Sequence, residues 1–187
     1  PNQPFKLLYH GMYLPGRDLD GLVRSMKDVT NFRLYLRGYG YLEESLRDLV
    51  LQLGLSKRVI FLEPVAMQNL VASAVDFDMG IIAFPSSPKE LNIYYSTPNK
   101  MFEYMMAGLA LAVSDLPVLR EIVSTHHLGV IFDTSNPTEM AEVLNNISGK
   151  DLINMKKNSL SVARDVYNFD QESKKLIEIY DHLYHAG

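Results

Sequence analysis

A chain of 187 residues, 47% of them apolar and 21% charged, carries enough hydrophobic side chain for one packed domain and too much for a disordered segment. Eighteen Lys and Arg against 22 Asp and Glu leave a formal charge of −4, which argues against a nucleic-acid binder. The absence of cysteine excludes disulfides, thiolate catalysis and Cys-ligated zinc together, and fits a reducing, cytoplasmic setting. The longest apolar run, Met105 to Val113, falls far short of the roughly 20 residues a membrane span needs.

Short β-rich runs alternate with helical periodicity along the chain. After a linker-like Pro1-Asn2-Gln3-Pro4, residues 6–10 read as a strand and 18–29 as a helix. In that helix Leu19, Leu22, Val23, Met26 and Val29 form one stripe. A strand over 32–37 follows, then helix 41–53 with Leu42, Leu46, Leu49, Val50 and Leu53 on one face and Gly54 at its end. Next come strand 58–62, helix 66–74, strand 77–84, a long loop, helix 98–107, strand 110–114, helix 117–124 and strand 129–132. Helices near 137–146, 149–166 and 170–185 close the chain. In the last, Leu176, Ile177, Tyr180, Leu183 and Tyr184 make a broad apolar side.

Strands alternating with helices imply βαβ units and a parallel sheet covered on both faces. The expected fold is a single α/β domain over 1–187: a doubly wound, Rossmann-like six-stranded sheet of order 3-2-1-4-5-6. Ligands of such sheets bind outside the carboxyl ends of the strands, where the winding reverses between strands 1 and 4. Two loops flank that crevice, 10–18 and 85–98. The second well exceeds the roughly 2–6 residues usual for a βα connection.

Thr97 is a good N-cap and Pro98 suits the first helical position. The helix they begin therefore aims free N–H groups and a positive dipole at the crevice, with Lys100 adding a full charge. Lys100 and Glu103 share a face opposite Met101, Phe102, Met105 and Met106, so a Lys–Glu edge is expected to face outward over a buried methionine side. That edge suits an anion joined to a diol; the plainer alternative is an ordinary i,i+3 surface pair. Across the cleft, Gly11 would let a ligand approach the backbone, and Arg17 would supply a second cation. A turn glycine and a solvated arginine beside Asp18 and Asp20 are the alternatives. His10 ends strand 1, where it could contact a ligand or sit hydrogen-bonded near the core.

Several features read as structural. Gly38-Tyr39-Gly40 lacks the third glycine of a dinucleotide fingerprint, and Arg37 stands where a ribose-binding acid would be, so a nicotinamide enzyme is not expected. His126, His127, His182 and His185 lack metal-ligand spacing and read as helix-end residues; no metal and no cofactor is expected. Ser86 and Ser87 lack a nucleophile-elbow frame.

The run from Lys100-Met-Phe-Glu103 through Gly108 to Asp115, then Arg120-Glu121-Ile-Val and Gly129-Val-Ile-Phe, resembles the donor-binding C-terminal half of GT-B glycosyltransferases of the group 1 (family 4) type. Tyr9-His-Gly11, Arg17-Asp-Leu-Asp, Leu36-Arg-Gly38-Tyr-Gly40, Arg58 to Val65 and Phe77 to Pro85 follow the same pattern, so the likeness covers essentially the whole chain. The resemblance implies transfer of a sugar from a UDP-, GDP- or ADP-sugar, with retention and without a metal, to a glycan or lipid-linked acceptor. It implies that Gly11, Arg17 and Lys100 hold the diphosphate, helped by Ser96, Thr97 and Asn99. By the same pattern Glu103 binds the ribose, and Pro64 and Val65 border the base. An acidic residue that often contacts the donor sugar is replaced by Tyr95; Glu90 and His10 are the substitutes available. The acceptor-binding half is expected to be missing, leaving a chain that binds donor but does not turn over, and the last helix, which by the family's pattern returns to that half, is expected to be partly exposed or misplaced. Polysaccharide biosynthesis on the inner face of a membrane, reached through the missing half, is the implied setting. An epimerase of related fold and a non-catalytic nucleotide-sugar-binding module are the other readings.

Overall fold

The computed structural model describes residues 3–85 and 91–185. Glu90, Ser86 and Ser87, and the first two residues of the linker-like opening, lie outside the described residues. Six parallel strands form one sheet of order β3-β2-β1-β4-β5-β6: β1 Phe5–His10, β2 Phe32–Arg37, β3 Val59–Leu62, β4 Met79–Ile82, β5 Ala110–Ser114 and β6 Gly129–Phe132. This is the expected winding, with the reversal between β1 and β4.

Alternation along the strands divides the core in two. Leu7, Tyr9, Leu34, Leu36, Ile81 and Ala112 point to one face, where α1 (Leu19–Ser25), α2 (Glu43–Gln52) and α7 (Pro137–Asn145) cover them. Leu8, Ile82, Leu111 and Val113 point to the other, beneath α3 (Leu70–Ala74), α5 (Asn99–Met106), α6 (Pro117–His126) and α8 (Gly149–Asp165). The predicted stripe Leu19, Leu22, Val23, Met26 and Val29 is wholly buried. Each such side chain contributes on the order of 1.5–3 kcal/mol when fully removed from water.

Several element bounds differ from the sequence reading. Helix 18–29 is helical only over Leu19–Ser25, because i→i−3 bonds from Met26, Lys27 and Asp28 tighten its end into turns. Helix 66–74 divides into a 3₁₀ turn, Met67–Asn69, and α3. The expected loop 85–98 contains one helical turn, α4 (Leu91–Tyr94). Helix 117–124 continues to His126 and ends at His127, whose left-handed φ of 52° makes it the C-cap. The last helix, α9 (Phe169–His185), has no buried residue; Tyr180 and Leu183 are each 65% exposed, as the resemblance led us to expect. No described helix is long and apolar enough to cross a membrane.

What matters for the crevice is how its walls are fixed. Ser114 Oγ accepts from Phe84 N (2.7 Å) and donates to Ile82 O (3.0 Å), while Thr134 Oγ donates to Phe84 O (3.0 Å). Asp18 N donates to Ala83 O (3.2 Å), which ties the start of α1 to the end of β4. The mouth between β1 and β4 is therefore built on buried hydrogen bonds.

Candidate functional site

The chain leaves β1 at His10 and turns at Gly11, whose φ of 136° disfavours any residue with a Cβ. Gly11 N donates to Arg37 O (3.0 Å), and a Cβ on Gly38 would stand 2.0 Å from Gly11 O. The loops after β1 and β2 thus lie backbone against backbone. Gly38 serves that contact, in keeping with the structural reading of the Gly38-Tyr39-Gly40 turn.

Lys100, in the first turn of α5, does not face outward as expected. Its Nζ lies 4.0 Å from the centroid of the Tyr9 ring and would be 3.0 Å from a Cβ on Gly11. The side that faces solvent instead includes Met106, 48% exposed, while Met101, Tyr104 and Met105 are buried. Tyr104 decides this rotation: its ring fills the space above Gly80, where a Cβ would approach to 2.3 Å. Burial pushes the Lys100 ammonium down to about 7, Arg17 adds repulsion, and Glu103 opposes both. The N-cap is also corrected. Pro98 holds that position in extended conformation, with no side-chain cap, and Thr97 is exposed one residue earlier. Met101 N donates back to Pro98 O (2.9 Å), and without a capping side chain the amides of Asn99 and Lys100 are left for a ligand or water.

Arg17 lies over the Phe84 ring (4.7 Å) and donates through Nη1 to Gly16 O (3.3 Å). Its charge acts on both Tyr9 and Lys100, so the two cations are near enough to repel each other. Among the described residues neither has a carboxylate within ion-pair distance. Two mutually repelling cations that no described carboxylate pairs with form a site that a multiply charged anion relieves.

Beside them, Glu103 accepts from His10 Nε2 at 2.7 Å. Burial first, then Lys100 and Arg37, push His10 down to about 3, so its imidazole is neutral; facing a carboxylate, which only accepts, Nε2 is assigned the proton and donates. Burial raises the Glu103 carboxyl and Lys100 draws it back. His10 N donates to Tyr104 Oη (2.9 Å), and the two rings are 4.6 Å apart.

A pocket of about 370 Å³ opens next to this group, lined by His10, Gly11, Arg37, Gly38, Pro64 and Val65 among others. The ends of β1, β2 and β3 thus converge on one space. Ser96 Oγ donates to Ile93 O (3.0 Å), and Asn99 is exposed at the start of α5. Tyr95 is 60% exposed, its ring 5.0 Å from that of Tyr94.

Residues 4–150 match the family described as Glycosyl transferases group 1. The chain belongs to the group 1 glycosyltransferases. It is 26% identical over 186 residues to an uncharacterized glycosyltransferase of Methanocaldococcus jannaschii, a match covering 93% of this chain and 44% of that protein. The chain therefore spans a little under half the length of that curated relative. Its fold is shared with sucrose-phosphate synthase from Thermosynechococcus elongatus (TM-score 0.79, 18% identity, 100% of this chain and 47% of that one). The same holds for Anabaena HepE in complex with UDP-glucose (TM-score 0.78, 15% identity, 96% and 49%). The C-terminal domain of LpcC, a group 1 glycosyl transferase of Francisella tularensis, matches at TM-score 0.72 and 16% identity, over 89% of each chain.

Two residues of this group 1 glycosyltransferase domain were missed as parts of the site. Arg37 is only 8% exposed; its Nη1 donates to Ser73 O (3.2 Å) and Ser73 Oγ (2.7 Å), and its guanidinium lies 5.4 Å from the Phe77 ring. A cation ending a buried strand beside a turn glycine was the available signal. Tyr104 had none, because its role depends on Gly80 and His10, both distant in sequence.

Proposed function

We propose that this chain is the donor-binding half of a glycosyltransferase, holding the diphosphate of a UDP-, GDP- or ADP-sugar between Arg17 and Lys100. The observation that carries the reading is a pair of mutually repelling cations, Arg17 on the Phe84 ring and Lys100 packed against Gly11, neither ion-paired to a described carboxylate. Gly11 gives the diphosphate room against the backbone, and the uncapped start of α5, flanked by Ser96, Thr97 and Asn99, adds N–H donors. Glu103 accepts from the ribose hydroxyls, and the base enters the pocket bordered by Pro64 and Val65. The two cations take the charge that a metal ion would otherwise neutralise, so the chemistry proposed is metal-independent. Retention of configuration, Glu90 or Tyr95 at the donor sugar, and a glycan or lipid-linked acceptor held by a second half belong to the same reading. With that half missing, the chain binds donor without turnover, and contact with the inner face of a membrane falls to the absent part. HepE, with UDP-glucose bound, supplies a precedent of shared fold.

Thermal denaturation with UDP, GDP, ADP and their sugars tests this. A ligand at 100 times its dissociation constant stabilises the folded chain by about 2.7 kcal/mol. One nucleotide series should raise the melting temperature of the wild type and leave Lys100→Ala unmoved. No shift with any of them would overturn the proposal, and so would sugar transfer at enzymatic rates by this chain alone for its last clause.

A further inference from the structure

Lys100 and Glu103 sit three residues apart on α5, the spacing at which a lysine and a glutamate ordinarily pair. Here they do not. Lys100 is folded onto the Tyr9 ring, and Glu103 turns the other way to His10, whose Nε2 is 2.7 Å from Oε2. The His10 side chain is 3% exposed, whereas that of Glu103 is 22% exposed. The imidazole is therefore not itself in a position to meet much of a ligand, but the carboxylate it holds is.

We infer that His10 is a positioning residue: by donating to Glu103 Oε2 it holds the carboxylate away from Lys100, leaving the ammonium free for an anion and Glu103 free to accept from a diol. This rests on the donor-binding reading and adds to it the residue that sets ribose recognition. His10 grips α5 twice. Its backbone N–H donates to Tyr104 Oη at 2.9 Å, which fixes the helix; its side chain fixes the one carboxylate of that turn. The helix anchor alone would leave the three side-chain torsions of Glu103 unconstrained and Lys100 as its nearest counter-charge. A carboxylate offers about four lone-pair sites, so a single bond from His10 leaves enough for two vicinal hydroxyls. Removing the donor lets cation and carboxylate neutralise each other, and both ligand contacts weaken.

The test compares ribose with deoxyribose ligands by titration calorimetry, using UDP, GDP and ADP and their 2′-deoxy forms on the 187-residue chain. The wild type is expected to prefer the ribonucleotide it binds over its deoxy form by about tenfold, as for a hydrogen bond to a charged group. His10→Leu should bring that preference close to one while still binding the deoxy form, and His10→Gln, whose amide can reach Glu103, should restore it. A purely structural role would weaken both ligands equally and leave the ratio unchanged, which would overturn the inference. His10→Asn, too short to reach Glu103, makes the same comparison should His10→Leu not fold. A wild type that binds no nucleotide removes the donor-binding reading and this inference with it. A wild type that binds nucleotide, and whose His10 variants keep the full ribose preference, overturns the inference alone.

Discussion

Lys100 Nζ stands 4.0 Å from the centroid of the Tyr9 ring, so the first-turn lysine of α5 is folded back against the end of β1 instead of extending into solvent. The ring face offsets part of the lost hydration. Burial still dominates and pushes the ammonium down to about 7. The folded-state value lies below the unfolded one, so the unfolded chain binds more protons between about pH 7 and pH 10. Stability from this group therefore rises with pH across that window, and the cost of the buried charge is fully present below it. Lys100→Met should melt at a higher temperature than the wild type at pH 6, with the difference shrinking towards pH 10. Melting curves of both proteins at three pH values check this.

An anion bound beside Lys100 favours its charged form and reverses the balance. Above pH 7.5, where the nucleotide has finished ionising, affinity should fall with pH by at most about tenfold per unit. Lys100→Met should lose roughly tenfold or more in affinity and most of that pH dependence. Titrations at pH 7.5 and 9 measure both effects.

Gly11 meets two demands, a φ of 136° and a Cα close under the lysine, where a Cβ would stand 3.0 Å from Lys100 Nζ. Gly11→Ala should cost about 1–3 kcal/mol of stability through backbone strain. It should also weaken nucleotide binding beyond that loss by displacing the ammonium. Denaturant melts with binding isotherms on the folded fraction separate the two.

Tyr104→Phe removes the hydroxyl that accepts from His10 N at 2.9 Å, and leaves that buried N–H unpaired. The expected loss is about 1–3 kcal/mol, large for the deletion of one oxygen. Urea denaturation of the two proteins measures it.

The apolar side of α9 carries Leu176, Ile177, Tyr180 and Leu183, each more than half exposed. Leu183→Ser and Tyr184→Ser should change the stability of this chain by no more than about 0.5 kcal/mol. A larger loss, read by the same denaturation, would show that α9 packs against the domain.

Much of the fold was legible because burial leaves a periodic trace. The stripe Leu19, Leu22, Val23, Met26 and Val29 could cover a sheet in one way only, and all five are buried. The runs at 32–37 and 110–114 alternated with helices, which implied parallel strands, and the sheet has them. Of the candidate site, Gly11, Arg17, Lys100 and Glu103 were named from position and spacing and Pro64 and Val65 from the resemblance; Gly11, Pro64 and Val65 line one pocket, and Lys100 lies against Gly11. The direction of Lys100 was not legible. Helical spacing put the methionines inside and the lysine outside, but Tyr104 and Gly80 set the rotation of α5, and no local pattern encodes a ring packed over a distant glycine.

Short-range periodicity sets the alternation of elements and the loops that border the crevice, and the hand of βαβ connections makes the sheet parallel with helices on both faces. Which charges pair is settled by packing between distant segments. Lys100 and Glu103 are neighbours on one helix, yet each is claimed by a residue of β1, Tyr9 for the cation and His10 for the carboxylate. That choice depends on burial and on distances between segments some 90 residues apart (|i−j| = 93 for His10 and Glu103), which no local spacing contains.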